Sequence, residues 1–163
     1  MIFVTVGTSR LPFDRLVAAG DELAEHEPTT VQRGCSTTPL RRAGLVDFLP
    51  FDVLGHYVDA ARVVVTHAGA GSILVALHAG KRPVVVPRLR RFHEAVDDHQ
   101  SALAARLAAA GLVTVVSDPA DLWSGIAAAE APREPRAASS ALVEDLKREL
   151  AVWIPSQAKG EKA

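Results

Sequence analysis

The segment 67–72 has the residue types of a loop that holds phosphate. It reads His-Ala-Gly-Ala-Gly-Ser and directly follows an apolar run at 62–66. Glycines between a strand and a helix let backbone N–H groups approach a phosphate, and the helix N-terminus adds a partial positive charge. The segment lacks both the Gly-Lys-Ser/Thr ending of an NTPase loop and the third glycine of a dinucleotide fingerprint. The alternative is a simple tight turn at Gly69 and Gly71, with His67 as a structural or capping histidine.

A second polar stretch, 87–100, combines three arginines with Asp, His and Gln side chains. Arginine provides charge for phosphate or carboxylate, and the other side chains bind sugar hydroxyls directionally. An anionic, hydroxyl-rich ligand fits this pattern, and the alternative is a solvated charged loop. His93 and His99 are six residues apart and are expected to face different ways, so no metal site is predicted.

Composition excludes several other classes of protein. The 163 residues fit one domain, and 48% apolar with 23% charged residues is typical of a folded protein. A net charge of -1 argues against a general nucleic-acid binder. The single cysteine, Cys35, has neither a disulfide partner nor an evident local base. No apolar run reaches the length of a membrane helix, and we expect a cytoplasmic protein.

An alternation of strands and helices must position the two polar segments. Apolar, β-branched runs predict strands at 2–6, 29–32, 46–49, 62–66, 83–87 and 112–116. Helices are predicted after Pro12, over 51–60, 73–79 and 95–110, and again from Asp118. The βαβ pattern predicts a Rossmann-like α/β fold, with a parallel sheet and helices on both faces. Ligands bind beyond the carboxyl ends of such strands, where residues 7–9, 67–72 and the loop from Arg88 fall.

The end of the chain differs in composition from this domain, which we assign to residues 1–129. Residues 130–137 are polar and rich in proline, as in a linker, and 138–154 are predicted to form an amphipathic helix before a flexible tail at 155–163. The apolar side of that helix includes Leu142 and Leu146. It packs either on its own sheet or on a partner, and the sequence leaves both open.

Three segments resemble the C-terminal domain of glycosyltransferase family 28. They are Val65-Thr-His-Ala-Gly-Ala-Gly-Ser-Ile-Leu74, Gly80-Lys-Arg-Pro-Val-Val-Val-Pro87 and Val96-Asp-Asp-His-Gln100. Residues 3–8, 12–16 and 46–51 also fit, so the resemblance covers about residues 1–117. Within the family, the chain is most similar to small single-domain subunits of the Alg13-like and PssE-like type. The resemblance implies the donor-binding half of a metal-independent GT-B enzyme, which uses a UDP-sugar as substrate and no cofactor.

The family's site residues transfer to this chain by position. The donor-binding residues implied are Gly7, Thr8, Phe48, Leu49, His67, Ala68, Gly69, Gly71, Ser72, Arg88, Asp98, His99 and Gln100. The first turn would approach the diphosphate, the backbone at 48–49 would face the uracil, and 67–72 would hold phosphates and ribose. His99 and Gln100 would contact the donor sugar. His67 is a weak local candidate for the catalytic base, which the resemblance assigns more readily to a partner.

Two positions depart from the family pattern. Many relatives carry an acidic residue at the position of Val75, where it accepts hydrogen bonds from the ribose, which a valine cannot do. Many also read Gly-Glu-His where this chain has His93-Glu94-Ala95. The first departure puts ribose recognition in question, and the second bears on donor choice.

A GT-B site lies between two domains, and this chain resembles only the donor-binding one. The resemblance therefore implies a membrane-associated, acceptor-binding partner of the Alg14-like or PssD-like type, which would hold the chain at the inner face of the membrane. The expected activity is transfer of a hexosyl group from a UDP-sugar to a lipid-linked or polysaccharide acceptor. The alternative is a noncatalytic nucleotide-sugar-binding or scaffold subunit of a polysaccharide biosynthesis complex.

Overall fold

A computed structural model describes residues 1–130, which form one parallel sheet flanked by helices. The strands are β1 (Ile2–Thr5), β2 (Thr29–Gln32), β3 (Gly44–Val46), β4 (Val63–His67), β5 (Val84–Val86) and β6 (Thr114–Val115). The helices are α1 (Asp14–Leu23), α2 (Phe51–Ala60), α3 (Ala70–His78), α4 (His99–Ala109) and α5 (Leu122–Glu130). Except for Glu130, the linker, amphipathic helix and tail predicted at 130–163 lie outside the described residues.

The strand order is β3-β2-β1-β4-β5-β6, and every neighbouring pair is parallel. Ile2 at the start of β1 is paired with Thr29 of β2 on one side and with Val63 of β4 on the other. The chain first builds outward from β1 to β3 and then returns to β4. The strand order therefore reverses between β1 and β4, and such a switch point is where open α/β sheets leave a crevice for ligands. The predicted Rossmann-like fold is confirmed.

Alternate residues of the central strands pack against helices on opposite faces of the sheet. Val4 and Val65 belong to a cluster that includes Leu16 of α1 and Ile126 of α5. Phe3 and Val64 pack instead with residues of α2 and α3. Because successive side chains of a strand point to opposite faces, both faces of the sheet are covered. Full burial of each large apolar side chain contributes about 1.5–3 kcal/mol, so this double layer fixes the strand ends that carry the site.

Several element boundaries differ from those predicted. The β3 strand occupies Gly44–Val46 rather than 46–49, because pairing with β2 ends at Val46 and Leu49 turns to pack in the cluster below α2. Helix α3 begins at Ala70, three residues before the predicted start. Gly71 and Ser72 therefore lie in the first helical turn rather than in a loop before it.

Helix α4 starts at His99, four residues later than predicted. The preceding residues fold back on themselves: His93 takes a left-handed conformation with φ of 58°, and the Asp98 carboxylate accepts a hydrogen bond from the Arg90 N–H at 2.9 Å. These turns satisfy the backbone locally over 95–98, where the predicted helix would have begun.

The chain between β2 and β3 is a loop, and a carboxylate on α1 anchors it. The buried Asp21 carboxylate accepts hydrogen bonds from the N–H groups of Arg41, Arg42 and Ala43 at 2.8–3.1 Å. Burial acts to raise the pKa of Asp21, but these three donors more than offset it, so the pKa lies below its usual value. Across residues 1–130, no helix is long and apolar enough to cross a membrane.

Candidate functional site

The imidazole of His67 lies at the switch point, packed against two glycines. His67 ends β4, and Gly7 follows β1 with a φ of 75°, a conformation that favours glycine. A β-carbon at Gly7 would lie 2.9 Å from Nε2 of His67, and one at Gly69 would lie 2.8 Å from Cδ2. Glycine is therefore needed at both positions to leave room for the imidazole ring. The structure thus brings together His67, Gly7 and Gly69, three of the residues predicted for the site.

The surroundings of His67 keep its imidazole neutral. Burial and the positive charge of Arg88 lower the pKa of His67 to about 4, against a smaller opposing effect of a hydrogen bond with the Thr5 backbone. A general base works best with a pKa near the operating pH. A histidine with this pKa is a poor proton acceptor at neutral pH, so the structure favours a packing and hydrogen-bonding role for His67.

The first turn of α3 presents backbone donors beyond the end of β4. Its N-cap is Gly69, which has extended backbone and no side chain that could accept a hydrogen bond from the first turn. The first helical hydrogen bond runs from the Ile73 N–H to the Gly69 carbonyl at 3.1 Å. The N–H groups of Ala70, Gly71 and Ser72 thus have no acceptor within the helix. A β-carbon at Gly71 would meet nothing within 4 Å. This turn has the geometry of an anion site with open access.

Gln32, which the sequence analysis did not single out, holds Gly7 in place. Its amide oxygen accepts hydrogen bonds from the Gly7 N–H at 3.2 Å and from the Thr5 hydroxyl at 2.6 Å. Its amide nitrogen donates to the carbonyls of Gly7 at 3.2 Å and Asp47 at 2.9 Å. One buried side chain therefore ties the loop after β1 to the loop after β3, where Phe48 and Leu49 follow.

Arg88 is buried beneath the site, and its contacts do not support the expected phosphate contact. Nη1 donates to the carbonyls of Leu11, Pro12 and Glu94 at 2.9–3.2 Å, and Nη2 donates to the carbonyl of Val6 at 2.9 Å. The side chain is only 2% exposed and stacks on an aromatic ring of the core. Both terminal nitrogens are thus engaged by backbone carbonyls, and Arg88 braces the loops after β1 and β5.

A second arginine, Arg15 of α1, fixes the loop after β5 from outside and joins it to the chain after β6. Its guanidinium binds both carboxylate oxygens of Glu94 at 2.6 and 3.0 Å, and it donates to the carbonyls of Pro87 at 2.7 Å and Ser117 at 3.2 Å. Glu94 is buried and also accepts from the Leu89 N–H at 3.0 Å. Bidentate arginine–carboxylate pairs hold geometry well, so the β5–α4 loop is rigidly placed.

The residues predicted to bind the donor sugar lie where α4 begins. The Gln100 amide oxygen accepts a hydrogen bond from the Arg88 N–H at 3.2 Å, which links this helix to the braced loop. The Asp97 carboxylate accepts a hydrogen bond from the His99 N–H at 3.2 Å and a second one from Nδ1 of the exposed His99 ring. The backbone hydrogen bond, and after it the ring contact, lowers the pKa of Asp97. Asp98 is exposed as well.

The other predicted site residues lie along the same edge of the sheet. Thr8 is exposed at the tip of the first turn, and Ala68 is buried directly after β4. Phe48 is 51% exposed after β3, whereas Leu49 packs into the cluster around Phe3. The structure therefore gives the Leu49 side chain a packing role and leaves only its backbone for a ligand. Within residues 1–130, no three His, Cys, Asp or Glu side chains are placed to hold a metal ion.

Solved structures of glycosyltransferases have the same fold. A glycotransferase of kitacinnamycin shares 22% identity over 93% of this chain and 39% of its own, with a TM-score of 0.57. CalG4, the calicheamicin glycosyltransferase, shares 21% identity over 90% of this chain and 37% of its own, with a TM-score of 0.57. SnogD from Streptomyces nogalater shares 21% identity over 73% of this chain and 31% of its own, with a TM-score of 0.51.

The chain thus spans less than two fifths of the length of each of these structures. The architecture they share with it is the Rossmann-like C-terminal half of a GT-B glycosyltransferase. A search of curated proteins found no match. The model of the glycosyltransferase family 28 C-terminal domain, however, matches residues 1–151, and the chain belongs to that family.

Proposed function

We propose that this chain is the donor-binding subunit of a glycosyltransferase that moves a hexosyl group from a UDP-sugar to a lipid-linked or polysaccharide acceptor. The observation that carries the proposal is the open first turn of α3 at the switch point. Its backbone N–H groups have no acceptor within the helix, and a diphosphate bound at the switch point would supply acceptors for them. The family membership supports the reaction class, and the UDP-sugar and the acceptor are part of the proposal.

The chemistry requires stabilisation of the departing diphosphate. As the glycosidic bond breaks, negative charge builds up on UDP, and fixed donors at Ala70, Gly71 and Ser72 would stabilise that charge without a metal ion. Arg88 takes no direct part in this scheme, because its guanidinium binds backbone carbonyls. It acts instead by holding the loops after β1 and β5 against each other.

The proposal places the catalytic base and the acceptor site on a partner. With a pKa of about 4, His67 is a weak base for an acceptor hydroxyl. The chain spans less than two fifths of the structures that share its fold. On the resemblance to the Alg13-like and PssE-like subunits, the proposal assigns the acceptor-binding Rossmann-like half to a membrane-associated subunit of the Alg14-like or PssD-like type. Such a partner would place this subunit at the inner face of the membrane, as the resemblance to the small-subunit type implies.

One observation favours the alternative of a noncatalytic nucleotide-sugar-binding or scaffold subunit. Val75 packs against the apolar cluster of α2 and α3, where an acidic residue would otherwise accept hydrogen bonds from the ribose. A catalytic subunit loses product formation in the presence of its partner when His99 and Gln100 are replaced. A scaffold subunit keeps product formation with the same replacements, as long as partner binding is retained.

The binding step is tested by calorimetric titration of UDP into the purified chain in EDTA, alone and with the partner. We expect saturable binding by the wild-type protein and its loss in Gly71→Glu, because the added carboxylate would occupy and repel the phosphate position. Gly55→Glu is the matched control: Gly55 also lies in a helix, and a β-carbon there likewise meets nothing within 4 Å. Equal UDP affinity of the two variants, or no UDP binding by the wild type, would refute the proposal.

A further inference from the structure

The loop after β1 is compact and carries one arginine at its tip. Nη2 of Arg88 donates to the carbonyl of Val6 at the start of this loop, and Nη1 donates to that of Leu11 at its end, both at 2.9 Å. One guanidinium therefore spans the two ends of the loop. The Ser9 hydroxyl accepts a hydrogen bond from the Leu11 N–H at 3.2 Å, which forms a tight turn typical of serine. The residue enclosed by that turn is Arg10.

The side chain of Arg10 is exposed to solvent. Within residues 1–130 it forms neither an ion pair nor a hydrogen bond. By contrast, Arg33 in the loop after β2 pairs with Asp47. Arg10 is also the only lysine or arginine in the loops that directly follow β1 and β4, the two strands at the switch point. None of the contacts in the described part of the chain therefore uses this cation.

The loop of Arg10 and the first turn of α3 form opposite walls of the crevice at the switch point. The chain after β1 runs on into α1, which packs on one face of the sheet, whereas the chain after β4 runs on into α3 on the other face. The two walls stay close, because a β-carbon at either Gly7 or Gly69 would meet the imidazole of His67. A ligand held by the backbone donors of α3 therefore lies within reach of a long side chain from the loop after β1.

A diphosphate in this crevice needs more positive charge than the helix provides. A helix N-terminus is equivalent to roughly half an elementary charge, whereas even a single phosphate group carries about 1.5–2 negative charges at neutral pH. Arg88 does not make up the difference, because its terminal nitrogens are bonded to carbonyls, and the imidazole of His67 is neutral. A guanidinium can bind two phosphate oxygens at once, so Arg10 has both the charge and the donors for this ligand.

We propose that Arg10 folds over the crevice and binds the diphosphate from the wall opposite α3. This inference rests on the proposed function, and it identifies the side chain that neutralises the diphosphate. The ligand is then held between the backbone donors of the first turn of α3 and a guanidinium that closes on it. The same cation meets the negative charge that builds up on the departing diphosphate, so it favours the transfer step as well as binding.

The test is calorimetric titration of uridine, UDP and inorganic pyrophosphate into the wild type and Arg10→Gln, in EDTA at fixed salt. We expect the substitution to weaken the binding of UDP and of pyrophosphate at least about tenfold, through the loss of one hydrogen-bonded charge pair. Uridine, which has no phosphate, should bind both proteins equally. Arg10→Lys should fall between the two, because lysine keeps the charge but not the bidentate geometry.

Arg41→Gln is the matched control. Arg41 is exposed too, and its replacement removes the same charge. Its N–H donates to Asp21 in the last turn of α1, so it lies toward the opposite edge of the sheet from the crevice. The control should bind UDP like the wild type, which separates a contact with the ligand from a change in net charge.

The outcomes separate this contact from the proposed function. If the wild type binds UDP and Arg10→Gln binds it as tightly as Arg41→Gln does, the role of Arg10 is overturned and the proposed function stands. If pyrophosphate binding depends on Arg10 but UDP binds no more tightly than pyrophosphate, the nucleotide-sugar function fails and the contact stands. If the wild type binds neither UDP nor pyrophosphate, alone or with the partner, both fail.

An NMR signal of the side chain gives a second measurement. In the free protein the Nε–H of Arg10 is open to solvent, and a bound phosphate should shift its resonance and slow its exchange. We expect this change with UDP and pyrophosphate but not with uridine. The urea midpoints of the wild type and Arg10→Gln should agree, because the side chain is exposed. An Arg10 resonance that is the same with and without saturating UDP would overturn the proposal.

Discussion

The imidazole of His67 occupies the space that a side chain at position 69 would need. A β-carbon at Gly69 would lie 2.8 Å from Cδ2 of the ring and closer still to Nε2. The backbone of Gly69 has a φ of -83°, which any residue can adopt, so the restriction at this position comes from contact with His67 rather than from backbone conformation. The glycine and the histidine are therefore coupled parts of one turn.

This coupling predicts the result of a double-mutant cycle. Gly69→Ala should destabilise the wild-type protein by about 1–3 kcal/mol, the usual cost of overpacking. In a His67→Ala background the same change should cost less, with a coupling energy of about 0.5–3 kcal/mol, because the ring that it meets is gone. Urea unfolding of the four proteins measures this. Gly71→Ala is the control, since that position has open space. Additive effects in the cycle would contradict the packing described.

Replacement of Gln32 should loosen the first turn of the site. Gln32→Leu takes away the acceptor of the buried Thr5 hydroxyl and the side-chain donor to the Gly7 carbonyl. The Gly7 N–H keeps a hydrogen bond to Thr5 Oγ1 at 3.3 Å, and the Asp47 carbonyl keeps one from the Gly34 N–H at 2.9 Å. Each buried polar group left unpaired costs about 1–3 kcal/mol, so both stability and UDP affinity should fall.

Thr30→Val on the same strand is the control. Thr30 is half-buried, and its hydroxyl donates a hydrogen bond to the sulfur of Met1 at 3.8 Å rather than to a group of the site. Unfolding curves and calorimetry serve as readouts, and a Gln32→Leu protein that binds UDP like the wild type would argue against this role.

Arg88 should be irreplaceable even by lysine. A lysine keeps the positive charge but has a single nitrogen, and it cannot span the carbonyls of Val6 and Leu11 that the guanidinium joins. Loss of even one hydrogen bond to a charged group costs about 1.5–3 kcal/mol, and we expect Arg88→Lys to lower the free energy of unfolding by at least that much. Arg90→Lys, at an exposed position, should change it by less than about 0.5 kcal/mol. Similar stabilities for the two variants would show that Arg88 is not a brace.

The lowered pKa of His67 predicts how stability depends on pH. The unfolded chain protonates this histidine near pH 6.5, whereas the folded protein resists protonation until about pH 4. Between these values the unfolded state binds more protons, so the contribution of His67 to stability falls as the pH drops through this window. The difference in unfolding free energy between the wild type and His67→Gln should follow that course. An NMR titration that places the His67 pKa near 6.5 would contradict the effect of burial and of Arg88 on this ring.

The topology was predictable because it rests on local patterns that agree with one another. The valine runs at β4 and β5 are apolar on both faces, as a central parallel strand requires, and the glycines after β1 and β4 mark the turns. The helix starts were less predictable. The pattern predicts a helix from residue 95, but the Asp98 carboxylate accepts the Arg90 N–H and holds the preceding residues in a turn, so the helix begins at His99.

The supporting contacts of the site were not predictable from local sequence. Arg88 looked like a ligand residue because it stands in a basic run, but burial and four carbonyl acceptors give it a structural role. Arg15 meets Glu94 across 79 positions of the chain, and Gln32 meets Gly7 across 25. No local signal singles out Gln32, because its strand reads Thr-Thr-Val-Gln and polar side chains are common within it.

The central claim is that the first turn of α3 binds the diphosphate of a nucleotide-sugar through backbone donors. The most direct measurement compares the calorimetric affinities of the chain for UDP, UMP and uridine in EDTA, at fixed salt. The account predicts affinity that rises with each phosphate, by at least about tenfold from uridine to UDP, since one charge-assisted hydrogen bond contributes about 1.5–3 kcal/mol. Equal affinities for UDP and uridine, or no binding of any of the three with the partner present, would contradict it.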